Sequence, residues 1–149
     1  MTEGELAYVR KVHTECHSFL FICAGFMPAL QAGLLDGKRA TGIREMLPQL
    51  RKDAPHVQWT EKRWEHDGKV WTSGTLLNGQ DMVRAWVEEN MNVGEGNLAG
   101  VALDLGGWPV RDREYRDVDK ATTIQDINVM WGVCCHRKVH LFYICVNDT

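Results

Sequence analysis

Cys23 stands where the sequence changes character. The run "SFLFI" before it is short, continuous and apolar, and reads as a strand buried on both faces. The run "AGFMPALQAG" after it, with Pro28 near its start and Gly33 at its end, reads as a helix. A strand that breaks sharply into a helix lifts the side chain at the break into a cleft, and such a tight turn accepts only small residues next, which Ala24 and Gly25 are. The partial positive charge of a helix start favours thiolate. Its unbonded amides, beginning with that of Ala24, are placed to donate to an oxyanion. This pattern is that of a cysteine nucleophile mounted on a turn. The competing reading is a cysteine that merely fills the core, the commonest fate of that side chain.

Other residues of chemical interest form weaker patterns. Cys134, Cys135, His136 and His140 are metal-ligand types, and the two histidines would share a helix face. Adjacent cysteines point apart, however, and there is no second Cys-x-x-Cys pair, so no metal is expected. "NVGEGNLAG" lacks the strand-then-helix setting of a dinucleotide fingerprint, and no cofactor is expected. The acids and histidine of "EKRWEHD" lie before a hairpin turn and read as a solvated surface. His17 is roughly 20 Å from Cys23 if the intervening strand rises ~3.3 Å per residue. That is too far for a base, which needs contact at about 2.6–3.2 Å.

The elements that must position Cys23 follow from periodicity. Leu6, Val9, Val12 and Cys16 mark an amphipathic helix over residues 2–15. "LLDGKRAT" holds a turn and a short strand. Ile43, Met46, Leu47 and Leu50 form a helical stripe that Pro48 kinks or delays. Two strands flank the Asp67-Gly68 turn, with Trp59, Trp64, Val70 and Trp71 as packing residues. A helix with Asn78 as its N-cap follows, lined by Met82, Val83, Trp86 and Val87. "GEGNLAGVALDL" is a weaker helix, "GGWPVRDREYRDVDK" a loop or linker, and "VHLFYICV" a strand. Alternation of this kind predicts an α/β layered domain with a mainly parallel sheet, whose sites form at the carboxyl ends of its strands.

Composition sets the class. The chain has 149 residues, 44% of them hydrophobic and 25% charged, which fits one globular domain. A net charge of −3 without a strong basic cluster predicts no nucleic-acid partner. The uncharged stretch 18–35 is interrupted by Gly25, Pro28, Gln31 and Gly33, and falls short of the about 20 apolar residues a membrane span needs. The five cysteines are odd in number and irregularly spaced, and the opening residues lack the apolar core of a secretory signal. Together these predict a reducing, cytoplasmic setting.

The segments "FICAGFMPALQAGLLDGKRAT" and "DGKVWTSGTLLNGQDM" resemble the ThiJ/PfpI superfamily, the class I glutamine-amidotransferase-like proteins. The resemblance spans about residues 6–115 and is strongest to the branch of isonitrile hydratases and their fungal relatives. It implies a flavodoxin-like three-layer α/β sandwich, often dimeric, in which the elbow cysteine is the nucleophile or a redox-sensing thiol. That role carries over to Cys23, with the Ala24 amide as oxyanion donor and Gly25 in the elbow turn. An isonitrile hydratase-like member would add water to an isonitrile and give an N-substituted formamide.

This sequence departs from the family pattern at defined places. The elbow commonly reads Cys-Thr-Gly, whereas Ala24 supplies no hydroxyl. Hydrolytic members place a histidine just after the "RAT" segment, whereas Gly42, Ile43 and Arg44 follow Thr41 here. One helix precedes the elbow strand, so the resemblance implies an incomplete sandwich that lacks the N-terminal strands of the family fold and their acidic partner for the cysteine. On this reading residues 1–105 form a partial family domain and residues 106–149 a divergent segment. The exposed edge of the elbow strand would be covered by "VHLFYICV", by a second copy or by a partner chain. A non-catalytic interaction or redox-sensing protein is the alternative to a hydratase.

Overall fold

The structure is a computed structural model and describes residues 1–91, 93, 97–116 and 143–146. Its elements in chain order are α1 (Glu3–Glu15), β1 (Ser18–Phe21), α2 (Phe26–Gln31), β2 (Arg39–Ala40), α3 (Leu47–Asp53), β3 (Gln58–Trp59), β4 (Trp64–Asp67), β5 (Val70–Ser73), α4 (Leu76–Asn90), α5 (Leu98–Leu105) and β6 (Tyr143–Val146).

β1 organises the molecule. All four of its residues are buried, and their side chains alternate between two cores. Phe19 and Phe21 join Val9 of α1, Phe26 and Ala29 of α2, Leu47 and Leu50 of α3, and Val70. Leu20 points the other way, to Trp71 and to Met82 and Trp86 of α4. Helices therefore cover both faces of the sheet, and each large side chain of β1 contributes on the order of 2 kcal/mol by burial. In the main sheet the strand order is β4-β5-β1-β6. β1 runs parallel to β5, pairing Phe21 with Thr72, and antiparallel to β6, pairing Phe19 with Cys145. β2 and β3 form a separate two-stranded parallel ladder.

This arrangement corrects the expectation of an incomplete flavodoxin-like sandwich. The fold is α/β and flavodoxin-like, and its N-terminal strands are not absent: β1 to β5 are all present within residues 18–73. The expectation rested on the single helix that precedes β1; β2, within the segment expected to hold a short strand, and β3 are only two residues long. Nor does β1 have an open edge. β5 bonds to one side and β6 to the other, the latter within the segment expected to be a strand. The sheet remains open, with β4 and β6 as its outer strands.

The main sheet is also mixed rather than mainly parallel. The Asp67-Gly68 turn, with Gly68 at φ 60°, folds β4 back onto β5 antiparallel. Local chemistry moved two other boundaries. α4 is capped by Thr75, and Asn78 is the third helical residue of a capping box, returning its side chain to the Thr75 amide at 3.2 Å. Pro48 lies in the first turn of α3, where its missing N–H is harmless, so this helix starts late instead of kinking. The uncharged stretch 18–35 is divided among a strand, a tight turn and a six-residue helix. No described helix is long and apolar enough to cross a membrane.

Asp67 joins the two sheets. Its Oδ2 accepts from the Arg39 amide of β2 at 3.1 Å, and the ammonium of Lys38 lies 3.9 Å from Oδ1. The Arg39 amide holds this carboxyl below its ordinary value of 3.8, against the opposing effect of burial, and the charges of Lys38 and Arg39 add smaller pulls in the same downward direction. A depressed folded-state pKa gives stability above the unfolded value that is lost as pH falls through the folded one. Thermal melts of Asp67→Asn and the parent chain should therefore differ at pH 6 and converge as the pH falls through the lowered pKa of Asp67. A difference that is unchanged at pH 2 would show that the charge of Asp67 is not its source.

Candidate functional site

At the carboxyl end of β1 the chain leaves the sheet with Ile22 still extended, at φ −103° and ψ 129°. Cys23 then adopts φ 55°, and it is the one non-glycine residue with positive φ among the described residues. A left-handed conformation costs a residue with a Cβ roughly 1–2 kcal/mol. Residues Cys23–Gly25 form a single 3-10 turn, closed by the Gly25 amide bonding to the Ile22 carbonyl at 2.9 Å, and α2 begins at Phe26. Cys23 and Ala24 are half-buried and Gly25 is buried. The expected abrupt strand-to-helix break is thus present at Cys23. Gly25 has an ordinary right-handed φ of −58°, so the cysteine itself carries the strain of the turn.

Three glycines let neighbouring elements close on this turn. A Cβ on Gly79 of α4 would lie 2.6 Å from Cγ2 of Ile22, and one on Gly42 would lie 3.0 Å from the Phe26 ring. A Cβ on Gly74 would meet the Tyr115 hydroxyl at 2.9 Å and the Gly42 carbonyl at 3.2 Å. Since Phe21 pairs with Thr72 in a parallel ladder, Gly74 lies level with the elbow. Thr41, the last residue of the "RAT" segment, fixes this corner. Its amide donates to Thr72 Oγ1 at 2.8 Å, and its hydroxyl is within bonding distance of the carbonyls of Thr60 and Lys62, at 2.9 and 3.0 Å. Ser73, fully buried at the end of β5, has a hydroxyl that finds no partner among the described residues.

The segment 109–116 straps this end of the sheet, where the sequence predicted a loop or linker. Arg111 donates to Asp81 Oδ1 at 2.8 Å and to the Leu77 carbonyl at 3.2 Å. Arg113 binds the Glu65 carboxylate and the Trp64 carbonyl, and the Arg63 amide donates to the Arg113 carbonyl at 2.9 Å. Glu65 and Asp81 are almost completely buried, so these are paired interior charges. Tyr115 ends the strap. The guanidinium groups of Arg44 and Arg63 lie 4.7 and 4.8 Å from its ring centroid, and its hydroxyl donates to Asn78 Oδ1 at 3.0 Å. Burial pushes the phenol pKa above its usual value, against the opposing pull of Arg63 and Arg44. A cavity of about 200 Å³ between α4 and the strap is lined by Trp64, Asp81, Arg84 and Arg113; Cys23 is not among its lining residues.

The remaining candidate residues fall elsewhere. His17 precedes β1, at the opposite end of the strand from Cys23. "EKRWEHD" is not the solvated surface expected, because Glu65 is buried against Arg113, and His66 stacks on Trp71 with centroids 4.3 Å apart. No local signal reveals the Glu65 pairing, since its partner is distant in sequence. Arg44, in the segment where hydrolytic members carry histidine, pairs with Glu61 at 2.5 Å. Cys134, Cys135, His136 and His140 lie outside the described residues. Among the described residues no group of three or more His, Cys, Asp or Glu side chains could hold a metal ion.

The arrangement from α1 to the end of α4 has a counterpart in known proteins: residues 1–89 match the DJ-1/PfpI family. The chain belongs to that family. The matched residues contain the elbow, the "RAT" corner and the β4–β5 hairpin, and the strap lies beyond them. No curated protein sequence matches the chain.

The strain at Cys23 is measurable without any substrate. Glycine accepts φ 55° without steric cost, whereas alanine does not. In urea denaturation Cys23→Gly should be about 1 kcal/mol more stable than Cys23→Ala, the reverse of the usual order in helices. Equal stabilities would show that the turn relaxes once the cysteine is gone.

Proposed function

We propose that this member of the DJ-1/PfpI family is a cysteine-dependent hydratase of the isonitrile hydratase type, acting on a small electrophilic substrate. The observation that carries the reading is the left-handed backbone of Cys23 at the carboxyl end of β1. Strain of this kind persists where the surrounding structure imposes it, and it clusters at functional sites. Open α/β sheets also place their sites at this end of the strands.

In the proposed reaction the Cys23 thiolate attacks the terminal carbon of the isonitrile, and that carbon takes up a proton to give a thioimidate. Water adds to the same carbon, the C–S bond breaks, and the thiol is regenerated as the N-substituted formamide leaves. The sum is one isonitrile plus one water. Gly25 shapes the turn, and its amide is engaged by Ile22, so the Ala24 amide is the donor assigned to developing negative charge. Such a thiolate functions in a reducing compartment, which fits a cytoplasmic protein. A second copy adding to an outer strand of the open sheet is the assembly this reading favours, without nucleic acid or membrane.

A second reading, a non-catalytic interaction or thiol redox-sensing protein, is favoured by Arg44. It stacks on Tyr115 and pairs with Glu61 in the segment where hydrolytic relatives carry a basic histidine.

Two measurements separate these readings. Limited iodoacetamide treatment at pH 7 should alkylate Cys23 ahead of Cys145, and Cys23→Ser should lose isonitrile turnover by at least about 1000-fold, the scale of a lost nucleophile. Selective alkylation without turnover in the parent chain would favour the sensing role. Reactivity at Cys23 no greater than at Cys145 would sink the hydratase.

A further inference from the structure

We propose that the cavity between α4 and the strap binds a small monocarboxylate with a compact apolar body, its carboxylate held by Arg111 and Arg113. Cys23 is not among the lining residues, so this site does not depend on the chemistry proposed there.

The cavity wall has two kinds of surface. Trp64 of β4, Ala85 of α4, and Pro109 and Val110 of the strap supply its apolar part. Its charged part sets Arg84, Arg111 and Arg113 against Asp81 and Glu88, an excess of one positive charge. Asp81 is already engaged at both oxygens, Oδ1 by Arg111 at 2.8 Å and Oδ2 by Asn78 at 3.2 Å. Glu88 is exposed and holds the Arg84 Nε at 2.7 Å. Glu65, which Arg113 also binds, is offset by Lys62 at 3.8 Å. The other acids nearby, Asp104 and Glu114, are mostly exposed and screened by solvent.

The guanidinium groups keep unused capacity. Each carries N–H donors on three nitrogens. Arg111 commits Nε to Asp81 and Nη2 to the Leu77 carbonyl, while Arg113 commits Nε to the Trp64 carbonyl and Nη2 to Glu65. In both, Nη1 bonds to no atom among the described residues. The two commitments fix each side chain before any ligand arrives. The open hydrogen-bonding capacity of the cavity is therefore cationic, donating and already ordered, which suits a carboxylate at small entropic cost.

Size and charge narrow the class. A cavity of about 150 Å³ holds a benzene molecule. At about 200 Å³, this one has room for a single ring or a short branched chain beside the carboxylate. One negative charge matches the excess of the wall. A dianion such as inorganic phosphate exceeds that excess and leaves the apolar surface uncovered. The bound acid ties the strap to α4, because its carboxylate rests on the one and its body on Ala85 of the other.

The test titrates benzoate into the full chain and follows it by NMR. Shifts centred on Trp64, α4 and the strap should saturate with a dissociation constant on the order of 1 mM, a usual value for a ligand of this size. Benzamide, the neutral isostere, should bind at least about tenfold more weakly. Ala85→Leu fills the cavity without touching an ion pair and should abolish saturation. The proposal is overturned by a lack of saturation below about 50 mM, by shifts centred elsewhere, by equal affinity for benzamide, by displacement with equimolar inorganic phosphate, or by undiminished binding to Ala85→Leu. If Ala85→Leu does not fold, Arg111→Lys decides. It keeps a cation for Asp81 but has no second amino group for the ligand, so benzoate should bind at least about fivefold more weakly, and unchanged affinity overturns the proposal.

Discussion

The structure depends on β1 being held from every direction. Its backbone bonds to β5 and β6, Phe19 and Phe21 are sealed beneath α1, α2 and α3, and Leu20 is sealed beneath α4. A strand fixed this way cannot shift to accommodate its own end. The chain must reverse at once to bring Phe26 back into the core, and the cost of that reversal falls on Cys23. Packing energy spread over many aliphatic and aromatic contacts is thereby concentrated as local strain at a single thiol.

A second set of forces, ionic rather than apolar, closes the same end of the sheet. Arg111 and Arg113 bring compensating charge to Asp81 and Glu65, which would otherwise be costly to bury. Asn78 connects this network to the elbow region, because its Oδ1 receives the hydroxyls of Thr75 and Tyr115 while its amide reaches Asp81 at 3.2 Å. The strap lies outside the residues matched to the DJ-1/PfpI family, yet it supplies the partners of charges inside them. A substitution in the strap therefore acts on α4 and β4 as much as on its own segment.

The thiols of the described chain divide by environment. Cys23 is strained and half-buried at the carboxyl end of β1, whereas Cys16 is buried just before that strand and Cys145 lies opposite Phe19 in β6.

Much of this was legible in the sequence, because the signals were local. The apolar run of β1, the stripe of α1, the Asp67-Gly68 turn and the small residues after Cys23 each act within a few positions, where side-chain size and backbone preference decide the outcome. The elbow itself was legible for that reason. The notion of missing N-terminal strands came from the single helix before β1, whereas the folded chain has five strands within residues 18–73. The order of residues determined which side chains were on offer. Only the folded chain decided that Glu65 is interior, that Tyr115 meets both Arg44 and Arg63, and that Cys145 lies opposite Phe19. Those partners are far apart along the chain, and contacts of that range exist only once the sheet has set its register.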